Sequence, residues 1–270
     1  MVEIIAENWS HLYKLIFADT YNDRLKRYKS RFAFRGLSDK NHQLKTSLMR
    51  LGGGYKHVEK HLLRQFKKYG HQKLNGDHNE WYWLSVAQHY GLPTRLMDWS
   101  YSPEVALHFA TSNLNKYNVD GAIWKVNYRK AHSLLPNSLN GLKSIVSEEM
   151  VSIFTVDHLN GSIKDLNAMN ALGEKSDFFL FFEPPSIDER IFNQFAYFSI
   201  GSRPDLSLDE WLENHKDIWH KIIIPKEIKW EIRDKLDQSN VSERILFPGL
   251  SGIASWLTRY YTPTGEAVNE

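Results

Sequence analysis

Apolar residues at Trp9, Leu12, Leu15 and Ile16 share helical spacing and predict an amphipathic helix over residues 3–19. Residues 31–36 (RFAFRG) instead alternate aromatic and polar positions before a glycine, the period of a short strand. Helical spacing returns at Leu62, Leu63 and Phe66, in a helix that runs from Val58 to near Gly70. A third helix is expected from an N-cap at Asp77 through Trp81, Leu84 and Ala87 to Tyr90, where Gly91 and Pro93 stop it. Residues 94–99 look extended, and Ser102 followed by Pro103 opens a helix whose buried stripe is Val105, Ala106 and Phe109. Strand-like runs then dominate, at 122–128, 152–156, 178–182, 195–200 and 219–224, with helices at 208–214, 225–236 and 250–260. Strands mixed with helices without a regular βαβ period predict an α+β fold. There is no internal repeat and no composition shift that would cut the chain, so one domain is expected over 31–262. A helical segment, 1–30, packs on it, and 263–270 reads as a disordered tail.

Composition narrows the chemistry more than the fold. The 270 residues include 9 Trp, 13 Tyr and 14 Phe but no cysteine. Disulfides, a thiolate nucleophile, Cys-ligated zinc and iron–sulfur clusters are therefore excluded. The formal net charge of +2 is no signature of nucleic-acid binding. The first residues, MVEIIAENWSHLYKL, lack the basic start of a signal peptide. The apolar run 178–182 falls far short of the ~20 residues a spanning helix needs, so a cytoplasmic protein without membrane contact is expected.

Several familiar motifs fail. The glycines of LGGGYKH lack dinucleotide-fingerprint spacing, no GK[ST] phosphate loop exists, and no GxSxG elbow is present. His57 and His61 stand at i and i+4, but Glu59 projects to another face, and a solvated pair is the simpler reading; no metal is expected. The HYGLPTR stretch offers aromatic and basic groups, but the near-neutral charge makes nucleic acid a minor option.

Three separated segments carry a family likeness: RFAFRG (31–36), SVAQHYGLPTRLMDWSYSPEVALHFAT (85–111) and IIIPKEIKWEIRDKLDQSNVSERILFPGLSGIASWL (222–257). Together they resemble the FRG domain, a bacterial domain named for its Phe-Arg-Gly. NQFAYFSI (193–200) is similar to a fourth family element, although Phe195 and Ala196 stand where that element has glycine. A second resemblance is to the arginine–serine–glutamate class of ADP-ribosyltransferases. The order Phe34-Arg35-Gly36, then Asp98-Trp99-Ser100 with Ala106 and Phe109, then Glu243-Arg244-Ile245-Leu246-Phe247-Pro248 follows that class. The fold implied is a mixed, mostly antiparallel split sheet flanked by helices, ADP-ribosyltransferase-like, with Glu243 late in the sheet.

The resemblance implies an enzyme that uses NAD as substrate, either transferring ADP-ribose to a protein or nucleic-acid acceptor or hydrolysing NAD, in a bacterial toxin or antiphage setting. Arg35 would anchor the dinucleotide, its planar donors suiting phosphate. Ser100 would order the site, and Glu243 would stabilise an oxocarbenium-like transition state. Gln88, His89, Tyr90 and Trp99 would supply polar edges and stacking for a base. The sequence departs from the class in offering Met-Asp-Trp-Ser with one hydroxyl, and Val241 where arginine-modifying members carry a carboxylate or amide.

Structural readings of the same residues stand beside these. Arg35 pairs with Asp98 across neighbouring strands, Ser100 caps or turns, and Glu243 occupies a surface turn. Gln88 and His89 close a helix, and Arg95 and Asp98 form a polar pair inside the fold. The corresponding alternatives for function are a non-catalytic module binding a nucleotide or protein, and a nucleic-acid-binding accessory protein.

Overall fold

The computed structural model describes residues 3–74, 78–147 and 153–263. Its strands are β1 (Glu3–Ile5), β2 (Tyr21–Asn22), β3 (Arg27–Tyr28), β4 (Phe32–Leu37), β5 (Leu96–Ser100), β6 (Gly121–Asn127), β7 (Phe154–Thr155), β8 (Phe179–Glu183), β9 (Ala196–Gly201) and β10 (Trp219–Ile224). The helices before β6 are α1 (Trp9–Phe17), α2 (Tyr55–Gly70), α3 (Glu80–His89) and α4 (Pro103–Thr111). Between β6 and β8 come α5 (Tyr128–Ser133), α6 (Asn140–Ser147), α7 (Val156–Ser162) and α8 (Leu166–Gly173). The remainder are α9 (Glu189–Asn193), α10 (Leu208–Glu213), α11 (Lys229–Gln238), α12 (Glu243–Leu246) and α13 (Leu250–Tyr260).

Eight strands form one sheet in the order β1-β10-β6-β4-β5-β9-β8-β7, while β2 and β3 make a separate ribbon. Only the edge pairs β1–β10 and β8–β7 are parallel; every inner pair is antiparallel. The fold is thus α+β, with a mixed, mostly antiparallel sheet flanked by helices. At its middle the sheet is nearly split. β4 follows β6 through six residue pairs but meets β5 only at Phe34 and Ser100.

The core follows that division. One cluster joins Leu12 and Ile16 of α1 to Phe32 and Phe34 of β4, Leu107 of α4 and Ile232 of α11. A second joins Trp81 and Leu84 of α3 to Leu96, Leu180, Phe198 and Ile200 of the other half-sheet. A third contains residues from both halves, including Ala33, Trp124, Met97, Trp99, Phe181 and Tyr197. Side-chain alternation along the strands sorts β4 and β5 residues between these clusters. α4 lies so close to β4 that a Cβ on Gly36 would stand 1.8 Å from the Ala106 carbonyl oxygen, which is why a glycine occupies that position.

Local patterning explains most boundaries. Asn8 accepts from the His11 amide and starts α1, so the expected helix 3–19 divides into β1 and α1. Asn79 accepts from the Tyr82 amide and caps α3, while the expected cap, Asp77, lies outside the described residues. Ser102 accepts from Val105, with Pro103 in the first turn of α4. The expected helix 225–236 begins instead with a 3-10 turn, Lys226–Ile228, before α11. Of the expected strand 152–156 only β7 forms, residue 152 lying outside the described residues, as do 264–270 of the expected tail. Among the described residues no helix is long and apolar enough to cross a membrane.

Candidate functional site

The split in the sheet opens into a cleft of about 470 Å³, lined from β4 by Arg35, Gly36 and Leu37 and from β5 by Asp98, Trp99 and Ser100. Gln88 and His89, at the end of α3, and Phe109 of α4 form further walls. Arg50, from the 3-10 turn Met49–Leu51, and Arg190, from α9, complete it together with His42 and Gln194. Such a volume lies in the range of small-molecule sites.

Arg35 is the central charge. Its Nη1 donates to the main-chain oxygen of Asp98. Continuing the Phe34–Ser100 register would bring Gly36 opposite Asp98, so the guanidinium serves an acceptor at the point where the ladder has stopped. Its Nε is buried and has no protein acceptor. Burial lowers the Arg35 pKa, the Asp98 charge opposes that shift, and Arg50 adds to it. An arginine nonetheless stays protonated at neutral pH.

Asp98 is the exposed residue of a strand otherwise buried. Its Oδ2 accepts from Gln88 Nε2 at 3.0 Å, and Gln88 is itself oriented by Thr94, whose hydroxyl donates to Gln88 Oε1 at 2.6 Å. Arg95 does not pair with Asp98. It is buried against Glu59, with Nε 2.8 and 2.9 Å from the two carboxylate oxygens, and its Nη1 donates to Asn170. His89 Nε2 lies 2.6 Å from Asp188 Oδ2 at the cleft rim.

Ser100 is in the cleft wall, yet its hydroxyl is committed: it donates to the Gln194 carbonyl at 2.9 Å and accepts from the Ser102 amide at 3.0 Å. It braces the turn from β5 into α4 and ties that turn to the C-terminal end of α9. The Trp99 indole donates to Ser199 Oγ at 2.8 Å and meets Phe181 edge-on, so its ring is engaged in the core. Tyr90 is 66% exposed and lines an adjoining groove with Asp188, Arg190 and Phe247.

Glu243 departs most from expectation. It opens the short helix α12, with no strand at this position, and it does not line the Arg35 cleft. Its Oε1 and Oε2 accept from Arg259 Nε and Nη2 at 2.7 and 2.8 Å. Arg259 also donates to Asp237 at 2.6 and 2.9 Å, and Arg233 bridges Asp237, the Val241 carbonyl and His108. Burial pushes the Glu243 pKa up, but Arg259 and Arg233 outweigh it and hold the carboxyl below its ordinary value. Two arginines thus occupy the carboxylate that was expected to face a ribose.

The structure therefore brings Arg35, Ser100, Gln88, His89 and Trp99 to one cleft, with the Trp99 indole bonded to Ser199, places Tyr90 in the adjoining groove, and leaves Glu243 outside. Arg50, Arg190, Asp98 and Gln194 are cleft residues that sequence reasoning did not select as ligand contacts. Among the described residues no group of three or more His, Asp or Glu is arranged to hold a metal ion.

Residues 30–119 match the family model of the FRG domain. That segment carries Arg35, Arg50, Gln88, His89, Asp98 and Ser100, whereas Arg190, Gln194 and Glu243 lie beyond it. No curated protein and no solved structure matches the chain.

Proposed function

We propose that the split-sheet cleft binds a nucleotide through its phosphates, with NAD as the ligand and Arg35 as the anchor. The observation that carries this reading is the sharing of one cleft by Arg35, Arg50 and Arg190, with the Arg35 Nε buried and lacking an acceptor. A buried donor left unpaired costs free energy, and a phosphate oxygen supplies the missing acceptor with charge assistance. His89 and Gln194 offer polar edges for ribose or base, while both ends of the Gln88 amide are engaged by Asp98 and Thr94.

Titration calorimetry with NAD and with ADP-ribose tests it. Both ligands are expected to bind, and Arg35→Gln to weaken them about tenfold or more, the loss typical of one charge-assisted contact. Failure of the wild type to bind either ligand, or unchanged binding by a folded Arg35→Gln protein, refutes the proposal.

A second reading is that the bound dinucleotide is consumed, by transfer of ADP-ribose to a protein or nucleic acid or by hydrolysis. It is favoured by a carboxylate, that of Asp98, standing in an otherwise cationic cleft. Glu243 has no part in this reading, because its oxygens are bound to Arg259.

A further inference from the structure

Asp98 is out of place in a site that only grips phosphate. Its carboxylate shares the cleft with Arg35, Arg50 and Arg190, so it repels the anion those arginines attract. It is nevertheless held in position. Ser47 accepts from the Thr94 amide at 3.0 Å, Thr94 donates to Gln88, and Gln88 Nε2 donates to Asp98 Oδ2. This relay leaves Oδ1 available to a ligand. A fixed anion within a cationic site suits a ligand whose charge is divided: phosphates at one end and a positive centre at the other. A nucleotide with a quaternised base has that division, and the positive charge passes to the ribose when the base departs.

We infer that Asp98 is the catalytic carboxylate of this cleft and that the reaction is hydrolysis of the N-glycosidic bond of a nucleotide carrying a quaternised base. The inference rests on the nucleotide-binding reading above. In the step, the bond between ribose C1′ and the base nitrogen breaks with its electron pair going to the base, which leaves neutral. The resulting ribosyl cation is stabilised by the Asp98 carboxylate. Water adds through its oxygen to C1′, and the proton it sheds passes to Asp98 and then to solvent. No oxidant, reductant or metal enters the balance. Arg35 and its neighbours hold the phosphates, while Gln88 is a positioning residue that keeps Asp98 aimed.

The experiment measures nicotinamide release from NAD and, separately, the affinity for ADP-ribose, in the wild type, Asp98→Asn, Gln88→Ala and Glu243→Gln. Asp98→Asn keeps the shape of the side chain and an acceptor for Gln88, so it is expected to fold and to bind ADP-ribose at least as well as the wild type. Its turnover is expected to fall about 100-fold or more, the scale of losing one electrostatic contact to a developing charge. Gln88→Ala should lower kcat while leaving ADP-ribose affinity within about threefold, and Asp98→Glu should restore part of the rate lost in Asp98→Asn. Glu243→Gln should retain turnover. Binding of ADP-ribose by the wild type without nicotinamide release overturns this inference and leaves the binding reading standing. Turnover that survives in Asp98→Asn overturns it as well. Absence of ADP-ribose binding in the wild type overturns the reading beneath it.

Discussion

Adjacent residues of one tripeptide do opposite things. Arg35 projects a charge into the cleft, while Gly36 removes a side chain so that α4 can lie against β4. A methyl group at Gly36 would meet the backbone of Ala106 and Ala110, which has no rotamer to yield. Gly36→Ala is therefore expected to cost about 3 kcal/mol or more, as for severe overpacking, read from urea unfolding; a change below about 1 kcal/mol would contradict the packing described. Arg35 and Gly36 were legible in the sequence because the segment has a family likeness and a strand period. The fate of Ser100 was not. A serine before a helix reads equally as a turn brace or a ligand contact, and only its bonds to Gln194 and Ser102 assign it the first role. Arg50 and Arg190 were illegible for another reason: one lies in a 3-10 turn and the other in a short helix, where arginines are ordinarily solvated.

Among the elements, the strands were easier to read than the helices. The core strands declare themselves by runs such as 178–182 and 219–224, whereas α5 to α8 are short and rich in Asn, Ser and Gly, with caps at Asn127, Thr155 and Asp165 marking the starts of three of them. The ADP-ribosyltransferase resemblance implies a late strand for Glu243, whereas Glu243 opens α12. Its partners Arg233 and Arg259 come from α11 and α13, where both also bind Asp237, and spacing along the chain does not reveal that they meet. The network joins α11, α12 and α13 to His108 on α4. Glu243→Gln is expected to destabilise the protein by about 2 kcal/mol, somewhat less than full loss of a buried pair because the site is not wholly sealed. Calorimetric melting checks the loss, and titration with ADP-ribose should show unchanged affinity. An affinity loss without a stability loss would return Glu243 to the site.

For the whole molecule, two buried histidines set the response to acid. Burial lowers the His132 pKa to about 3, and burial together with Arg233 lowers that of His108 to about 3. Both are neutral in the fold: His132 Nε2 accepts from the Phe181 amide, and His108 Nδ1 faces Arg233 Nη1. In the unfolded chain a histidine titrates near 6.5, so between 6.5 and 3 the unfolded state binds more protons. Stability from this source is complete above pH 6.5 and declines as the pH falls towards 3, by about 1.4 kcal/mol per pH unit for each histidine. Denaturant unfolding should thus show a loss of about 2–3 kcal/mol between pH 7.5 and 5.5. In His132→Gln, whose amide oxygen can still accept from Phe181, that difference should shrink by about half. An unchanged pH dependence would mean that His132 is not held neutral.

The near-division of the sheet has a mechanical consequence. On one face a single hydrophobic cluster runs across both half-sheets, whereas the helices on the other face belong to two separate clusters. The molecule is built like a book, with the continuous cluster as its spine and the Arg35 cleft along the crease where the two half-sheets part. Bending about that spine disturbs one strand pair, Phe34 with Ser100, while any other crease would tear a longer ladder. A ligand that touches Arg35 on one cover and Asp98 on the other is then more than a guest in a pocket. It is a clasp, and its grip sets how stiffly the two halves are held shut.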